Sequence, residues 1–168
     1  MIRWLLPMLA LTLLSGCGLK PLYAGGSNGF VGSALGSVEV EPIAGRGGWL
    51  VRNALQERLQ LLGTGAPRYR LTVKLDDEIE GFGVRSDDAI TRERRTLRAR
   101  YQVTDLTTGE VLLDATEGSD AGIDVVSSEY AVIAAENTAL ENIADRLASQ
   151  IVTRLSAEAA RAQAESAP

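Results

Sequence analysis

The chain has 168 residues, one cysteine, no histidine and a formal net charge of −5. This length fits a single domain with a hydrophobic core, with or without short appendages. The missing histidine excludes His-based acid–base catalysis, Ser-His-Asp and Cys-His nucleophile pairs, and His-ligated zinc. The single cysteine excludes an intrachain disulfide, a CxxC redox pair and a multi-cysteine metal cluster. Carboxylate chemistry, Ser-Lys pairs, binding and structural roles remain open.

Residues 1–16 have the features of a secretory signal peptide of the lipoprotein type. A basic residue precedes an apolar run over residues 4–14, which is too short to anchor a protein stably in a bilayer. The run ends in LSGC, which matches the bacterial lipobox, with small residues before Cys17. We predict cleavage before Cys17, whose thiol and amino group then carry acyl chains such as palmitate that hold the protein on a membrane. Glycine rather than aspartate follows the cysteine, which favours the outer membrane.

The stretches on either side of the periodic part of the chain are predicted to be a tether and a tail outside the folded domain. Residues 17–36 are predicted to be a lipidated tether, because their second half is rich in glycine and serine and has no periodicity. Residues 158–168 are polar and alanine-rich, which predicts a disordered tail. Residues 37–157 remain as one α/β domain.

Within this domain, hydrophobic periodicity predicts the order β-α-β-β-β-α. Alternation predicts strands and an apolar stripe at helical spacing predicts helices. The predicted elements are a strand at 37–43, a helix at 49–62, a strand at 68–75 with a continuation towards 80, a strand at 96–106, a strand at 111–116 and a helix at 130–155.

A glycine-rich break is expected at 45–48, and a hairpin turn at 105–110. Each predicted strand has one apolar face and each helix one apolar stripe. The predicted fold class is therefore α+β, a two-layer sandwich with two helices on one face of a mostly antiparallel mixed sheet. The other face of the sheet is expected to be polar and exposed.

A cluster of arginines is the most prominent charge feature of the sequence. Six arginines fall within sixteen residues, and the window 81–100 has a net charge of +3 in an acidic chain. Because arginine binds phosphate and carboxylate oxygens in pairs, they form a candidate site for lipopolysaccharide or another anion. Its candidate residues are Arg85, Arg92, Arg94, Arg95, Arg98 and Arg100. The alternative is a solvated sheet face on which these arginines pair with Asp76, Glu78 or Glu80 across strands.

Other chemistries have little support in the sequence. The acidic run at 76–80 does not predict a metal site, because neighbouring residues of a strand point to opposite faces. No pattern predicts catalytic residues or a bound cofactor. Nucleic acid is a poor candidate ligand for an exported, acidic chain with few aromatic residues near its arginines.

Several short segments resemble the lipopolysaccharide-assembly lipoprotein family, LptE, in its alphaproteobacterial form. They are CGLKPLY after the lipobox, LVRNAL at 50–55, ITR at 90–92 and YAVIAAEN at 130–137. The resemblance extends over nearly all of the chain after the signal peptide. It implies a two-layer α/β domain that is not an enzyme and needs no cofactor.

The resemblance also implies partners and a location. It implies a 1:1 plug inside the LptD outer-membrane β-barrel, facing the periplasm, that binds lipopolysaccharide and helps to insert it into the outer leaflet. A basic residue in the loop before the central strand is associated with lipopolysaccharide in the family, and Arg85 and Arg92 are the nearest positions here. The alternative hypothesis is an auxiliary lipoprotein of an ABC-type envelope lipid transporter.

Overall fold

The computed structural model describes residues 30–63, 65–84 and 90–166. The signal peptide, the lipobox, Cys17 and Arg85 lie outside these residues. In chain order the described elements are α1 (Phe30–Leu35), β1 (Val38–Val40), α2 (Gly45–Leu62), β2 (Tyr69–Val84), β3 (Ile90–Asp105), β4 (Val111–Asp124) and α3 (Glu129–Ser166).

The four strands form one mixed sheet in the order β1-β2-β3-β4. The short β1 pairs in parallel with β2, so that α2 crosses over between them. β2, β3 and β4 form an antiparallel meander. The predicted α+β class and the order β-α-β-β-β-α are confirmed, with α1 as an additional helix before β1.

The core lies between one face of the sheet and the helices. Odd-numbered residues of β2 and β3 supply the sheet side, and the apolar stripes of α2 and α3 supply the other side. The stripe predicted for the last helix is buried as expected, since its residues recur at helical spacing. The buried members of that stripe are Leu140, Ile143, Ala144, Leu147, Ile151, Val152 and Leu155.

The start of the folded part differs from the predicted boundary at residue 37. Residues 30–35 of the predicted tether form α1, and Val31 and Leu35 are buried in the core. These two residues are four positions apart and share one face of the helix. The glycines and serines around them mask this short apolar stripe in the sequence.

The end of the chain also differs from the prediction of a disordered tail. α3 continues through Ser166, well beyond residue 157. Ser156 is fully buried, and Ala159 and Ala160 pack against the core. Because α1 contacts α3, these last turns have a packing partner that only the tertiary structure supplies.

Two glycines at the start of α2 are helical, although the sequence indicated a break at 45–48. Gly47 and Gly48 are both buried within the first turns of the helix. A Cβ atom on Gly48 would lie 2.6 Å from the carbonyl oxygen of Ile43. Glycine is therefore needed here for the close approach of two backbone segments rather than to end an element.

Candidate functional site

The face of the sheet that the helices leave uncovered is referred to as the open face. It consists of the even-numbered residues of β2, β3 and β4, since successive residues of a strand point to opposite sides. The burial pattern supports this assignment, because Leu97, Ala99 and Tyr101 are fully buried whereas Arg98 and Arg100 are exposed.

The predicted arginine site divides between the two faces. Arg92, Arg94, Arg98 and Arg100 lie on the open face, along one strand. Arg95 lies on the opposite face, towards the helices. Four of the six candidates thus share one surface.

Arg92 and Arg94 each contact an aspartate of the neighbouring strand β4. Arg92 Nε is 3.1 Å from Asp124 Oδ1, and Arg94 Nε is 3.8 Å from Asp120 Oδ2. The guanidinium of Arg94 also lies 5.4 Å from the centre of the Phe82 ring, in reach of a cation–π interaction. These side chains are more than half exposed, so the ion pairs contribute little to stability and can be exchanged for other contacts.

Arg100 has the best-defined geometry on the open face. Its Nη2 and Nε lie 3.0 and 3.3 Å from the two oxygens of Asp114, which also accepts a 2.9 Å bond from Gln102 Nε2. The hydrogen bonds from Arg100 and then Gln102 lower the pKa of Asp114, and the same contact raises the pKa of Arg100. This arginine is already engaged by a carboxylate.

Arg98 differs from its neighbours on the open face. Its register partners are Asp76 on β2 and Gly118 on β4. It is exposed, and its side chain has neither an ion pair nor a hydrogen bond with any described residue. Because Gly118 has no side chain, Arg98 has open space on one side and is the arginine of β3 best placed to meet an external anion.

The open face as a whole has interleaved charges rather than one positive patch. Its carboxylates come from β2 and from β4, on either side of the arginines of β3. The observed partners Asp114, Asp120 and Asp124 are on β4, whereas the sequence indicated acids of β2. The sequence does contain a signal for these partners. The three aspartates are even-numbered, whereas the apolar residues Ala115, Ala121 and Ile123 are odd-numbered, so the two groups lie on opposite faces of β4.

Arg95 has a structural role on the face towards the helices. Its Nη2 and Nε donate to the two oxygens of Asp77 at 2.6 and 2.8 Å, and its Nη1 donates to the Glu136 carbonyl oxygen at 3.2 Å. The side chain is only 13% exposed, and the hydrogen bond with Asp77 raises its pKa. It therefore joins β2, β3 and α3.

Within the described ranges, no three histidine, cysteine, aspartate or glutamate side chains are grouped so that they could hold a metal ion.

Comparison with models of protein families shows which family the chain belongs to. The sequence model of the LptE family, described as lipopolysaccharide-assembly, matches residues 35–155. The chain belongs to the LptE family. The resemblance to this family is thereby confirmed over most of the domain, including the four described strands.

Solved structures have the same fold. A Caulobacter crescentus protein assigned as a lipoprotein is 25% identical, with a TM-score of 0.65, and the match covers 77% of this chain and 96% of that one. The rare lipoprotein B of Shewanella oneidensis is 10% identical, with a TM-score of 0.62 and coverage of 76% and 97%. A minor lipoprotein of Acinetobacter baumannii is 16% identical, with a TM-score of 0.59 and coverage of 74% and 94%. A search of curated proteins found no match.

Membership assigns a role in lipopolysaccharide assembly, in a family of non-enzymatic lipoproteins that assist lipopolysaccharide transport. Among the described helices of this LptE-family chain, none has an apolar stretch long enough to cross a membrane.

Proposed function

We propose that this protein is an outer-membrane lipoprotein, attached through acyl chains on Cys17, that plugs an LptD-type β-barrel and binds lipopolysaccharide. The observation that carries the proposal is the family match over residues 35–155. A barrel of this kind encloses a polar, water-filled lumen. The open face, with its interleaved exposed charges, suits contact with such a wall.

The partner is tested by isolating the tagged, lipidated protein from the envelope of its native host in mild detergent. We expect one large β-barrel to co-purify at a 1:1 ratio, and depletion of the protein to lower surface lipopolysaccharide. Co-purification of an inner-membrane ABC transporter without a barrel would instead support the auxiliary-lipoprotein hypothesis.

Lipopolysaccharide binding is expected to depend on the exposed arginines of β3. Replacing Arg92, Arg94 and Arg98 together with glutamine removes three donors that can bind lipid phosphates or carboxylates. We expect affinity for purified lipopolysaccharide to fall by about tenfold or more and its salt dependence to become shallower. Fluorescence titration at two ionic strengths measures both effects.

The matched control for this triple variant removes the same charge from the helices. Its substitutions are Arg46→Gln, Arg146→Gln and Arg154→Gln, all at exposed positions. We expect near wild-type binding for the control. If the two triple variants lose affinity equally, the effect comes from net charge and the open face is not the lipid site.

A further inference from the structure

A groove with a largely apolar lining lies at the end of the domain where α1 and the last turns of α3 meet the sheet. It has a volume of about 430 Å³. Leu35, Val103, Leu113 and Leu155 form much of its lining. Leu112, which also lines it, is half exposed, so the apolar lining reaches solvent. The groove can therefore take up an apolar ligand from outside the domain.

The size and lining of this groove suit the acyl chain of a lipid. An apolar cavity of about 150 Å³ holds a benzene ring, so at the same packing about 430 Å³ holds roughly 17 carbon atoms. Polar side chains in the lining are confined to Tyr69 and three charged residues of α3. A sugar or a nucleotide needs several hydrogen-bonding groups around it, whereas an acyl chain needs none. The apolar part of the ligand is therefore a hydrocarbon chain.

The three charged residues of the lining form a row along α3. Glu158, Arg161 and Glu165 follow one another at spacings of three and four, which places them on one face of the helix. Arg161 Nη1 lies 3.0 Å from Glu158 Oε1, and a guanidinium has further N–H groups for a second anion. Glu165 has no ion pair with any residue that the structure describes. The row thus presents a cation and, one turn further along, a carboxylate that is available to a ligand.

This row has the charges that the headgroup of a zwitterionic phospholipid requires. Such a headgroup carries a phosphate and an ammonium joined by a two-carbon link, as in phosphatidylethanolamine. Arg161 suits the phosphate through charge-assisted hydrogen bonds, and Glu165 suits the ammonium. An anionic headgroup has the same phosphate but no ammonium, so the two carboxylates on either side of Arg161 repel it. The row accordingly favours a lipid without net charge.

The groove lies where the chain arrives from the membrane. Its wall includes Ala34 and Leu35 of α1, which is the first described element of the chain. Twelve residues separate α1 from Cys17, the proposed lipid attachment point, and this stretch spans at most about 45 Å. An acylated Cys17 therefore keeps the groove within reach of a phospholipid surface.

We propose that this groove binds one zwitterionic phospholipid, with an acyl chain along the apolar lining, the phosphate on Arg161 and the ammonium on Glu165. The charged row follows residue 155, where the family match ends, so the match does not itself imply this site. None of the described arginines of β3 lines the groove. The site is therefore separate from the proposed lipopolysaccharide site, and only its closeness to the membrane depends on acylation of Cys17.

Photocrosslinking in a membrane tests this site. The full lipidated protein is placed in vesicles of equal parts phosphatidylcholine and phosphatidylglycerol, with a trace of phosphatidylethanolamine that carries a diazirine midway along one acyl chain. After illumination, mass spectrometry locates the linked residues. We expect the labels to concentrate on residues that line the groove, above all Leu112, Leu113 and Ala162. Labels spread evenly over the exposed surface would overturn the proposal.

Filling the groove supplies a matched pair of variants. Ala162 is exposed and lines the groove, so Ala162→Trp places an indole in the space of the acyl chain. Ala164, two residues further along α3, is also exposed but does not line the groove. We expect Ala162→Trp to lower labelling about tenfold, since losing the burial of two methylenes already weakens binding that much, and Ala164→Trp to leave it unchanged. Equal labelling of the two variants would contradict the proposal.

A second probe, with the same diazirine chain on a phosphatidylglycerol headgroup, tests the charged row. We expect it to label the groove about threefold less than the zwitterionic probe, because it has no ammonium for Glu165. Glu165→Lys should reverse this preference, and equal labelling by both probes in the unaltered protein would refute the assigned headgroup. Replacing Arg92, Arg94 and Arg98 with glutamine should leave the labelling unchanged, which distinguishes a failure of this site from a failure of the lipopolysaccharide site.

Discussion

Replacing Gly48 with alanine is expected to lower the free energy of unfolding by about 3 kcal/mol. The new Cβ atom would lie 2.6 Å from the carbonyl oxygen and 2.7 Å from the carbonyl carbon of Ile43. Both contacts involve backbone atoms, so α2 must shift away from the segment that follows β1. In a domain of this size, that loss lowers Tm by roughly 6–12 °C, measurable by thermal unfolding followed by circular dichroism.

Gly47 provides the control at the neighbouring position of the same helix. A Cβ atom there would meet its nearest neighbour, Leu140 Cδ1, at 3.5 Å, which is an ordinary contact. Since alanine favours helix over glycine by about 1 kcal/mol, Gly47→Ala should be neutral or stabilising. Equal destabilisation by both substitutions would mean that helix flexibility, rather than the close approach at Ile43, explains the glycines.

Replacing Arg95 with methionine is expected to lower the free energy of unfolding by about 2 kcal/mol. The substitution removes three hydrogen bonds and leaves the Asp77 carboxylate without its guanidinium partner. Denaturant unfolding measures the loss. Converting Asp77 to leucine in the same chain should recover about half of it, because an apolar pair can replace a partly buried ion pair.

Arg98→Met is the matched control on the same strand. Because Arg98 is exposed and lacks an ion pair with the described residues, stability should change by no more than about 0.5 kcal/mol. The two variants therefore separate an arginine that holds elements together from one available to a ligand. A loss of similar size at both positions would refute this division.

The fold was predictable from the sequence wherever apolar residues recur regularly against a covered surface. The last helix shows this, because the stripe from Leu140 to Leu155 is entirely buried. The prediction fell short where charged residues replace the apolar pattern. β3 begins at Ile90 rather than near residue 96, because backbone hydrogen bonds to β2 and β4 hold its first residues in the sheet.

The sequence indicated the arginines of the candidate site but not their arrangement, and their binding of an anion stays a prediction. Alternation along β3 separates Arg95 from the even-numbered arginines. The sequence does not say, however, that a helix covers the face of β3 on which Arg95 lies. The aspartates that contact Arg92, Arg94 and Arg100 are 14 to 32 residues away along the chain. Only the register of β3 against β4 brings them together.

The sequence by itself determined the α+β class, the order of the main elements, the resemblance to the LptE family and the prediction of lipid attachment at Cys17. These properties depend on local periodicity and short motifs, which are readable along a single chain. Tertiary structure decided that the five described arginines occupy two faces, that β4 supplies the partners of Arg92, Arg94 and Arg100, and that α1 and the end of α3 belong to the folded domain. Each of these depends on pairing between distant segments, because strand register and helix packing place residues together that the sequence keeps apart.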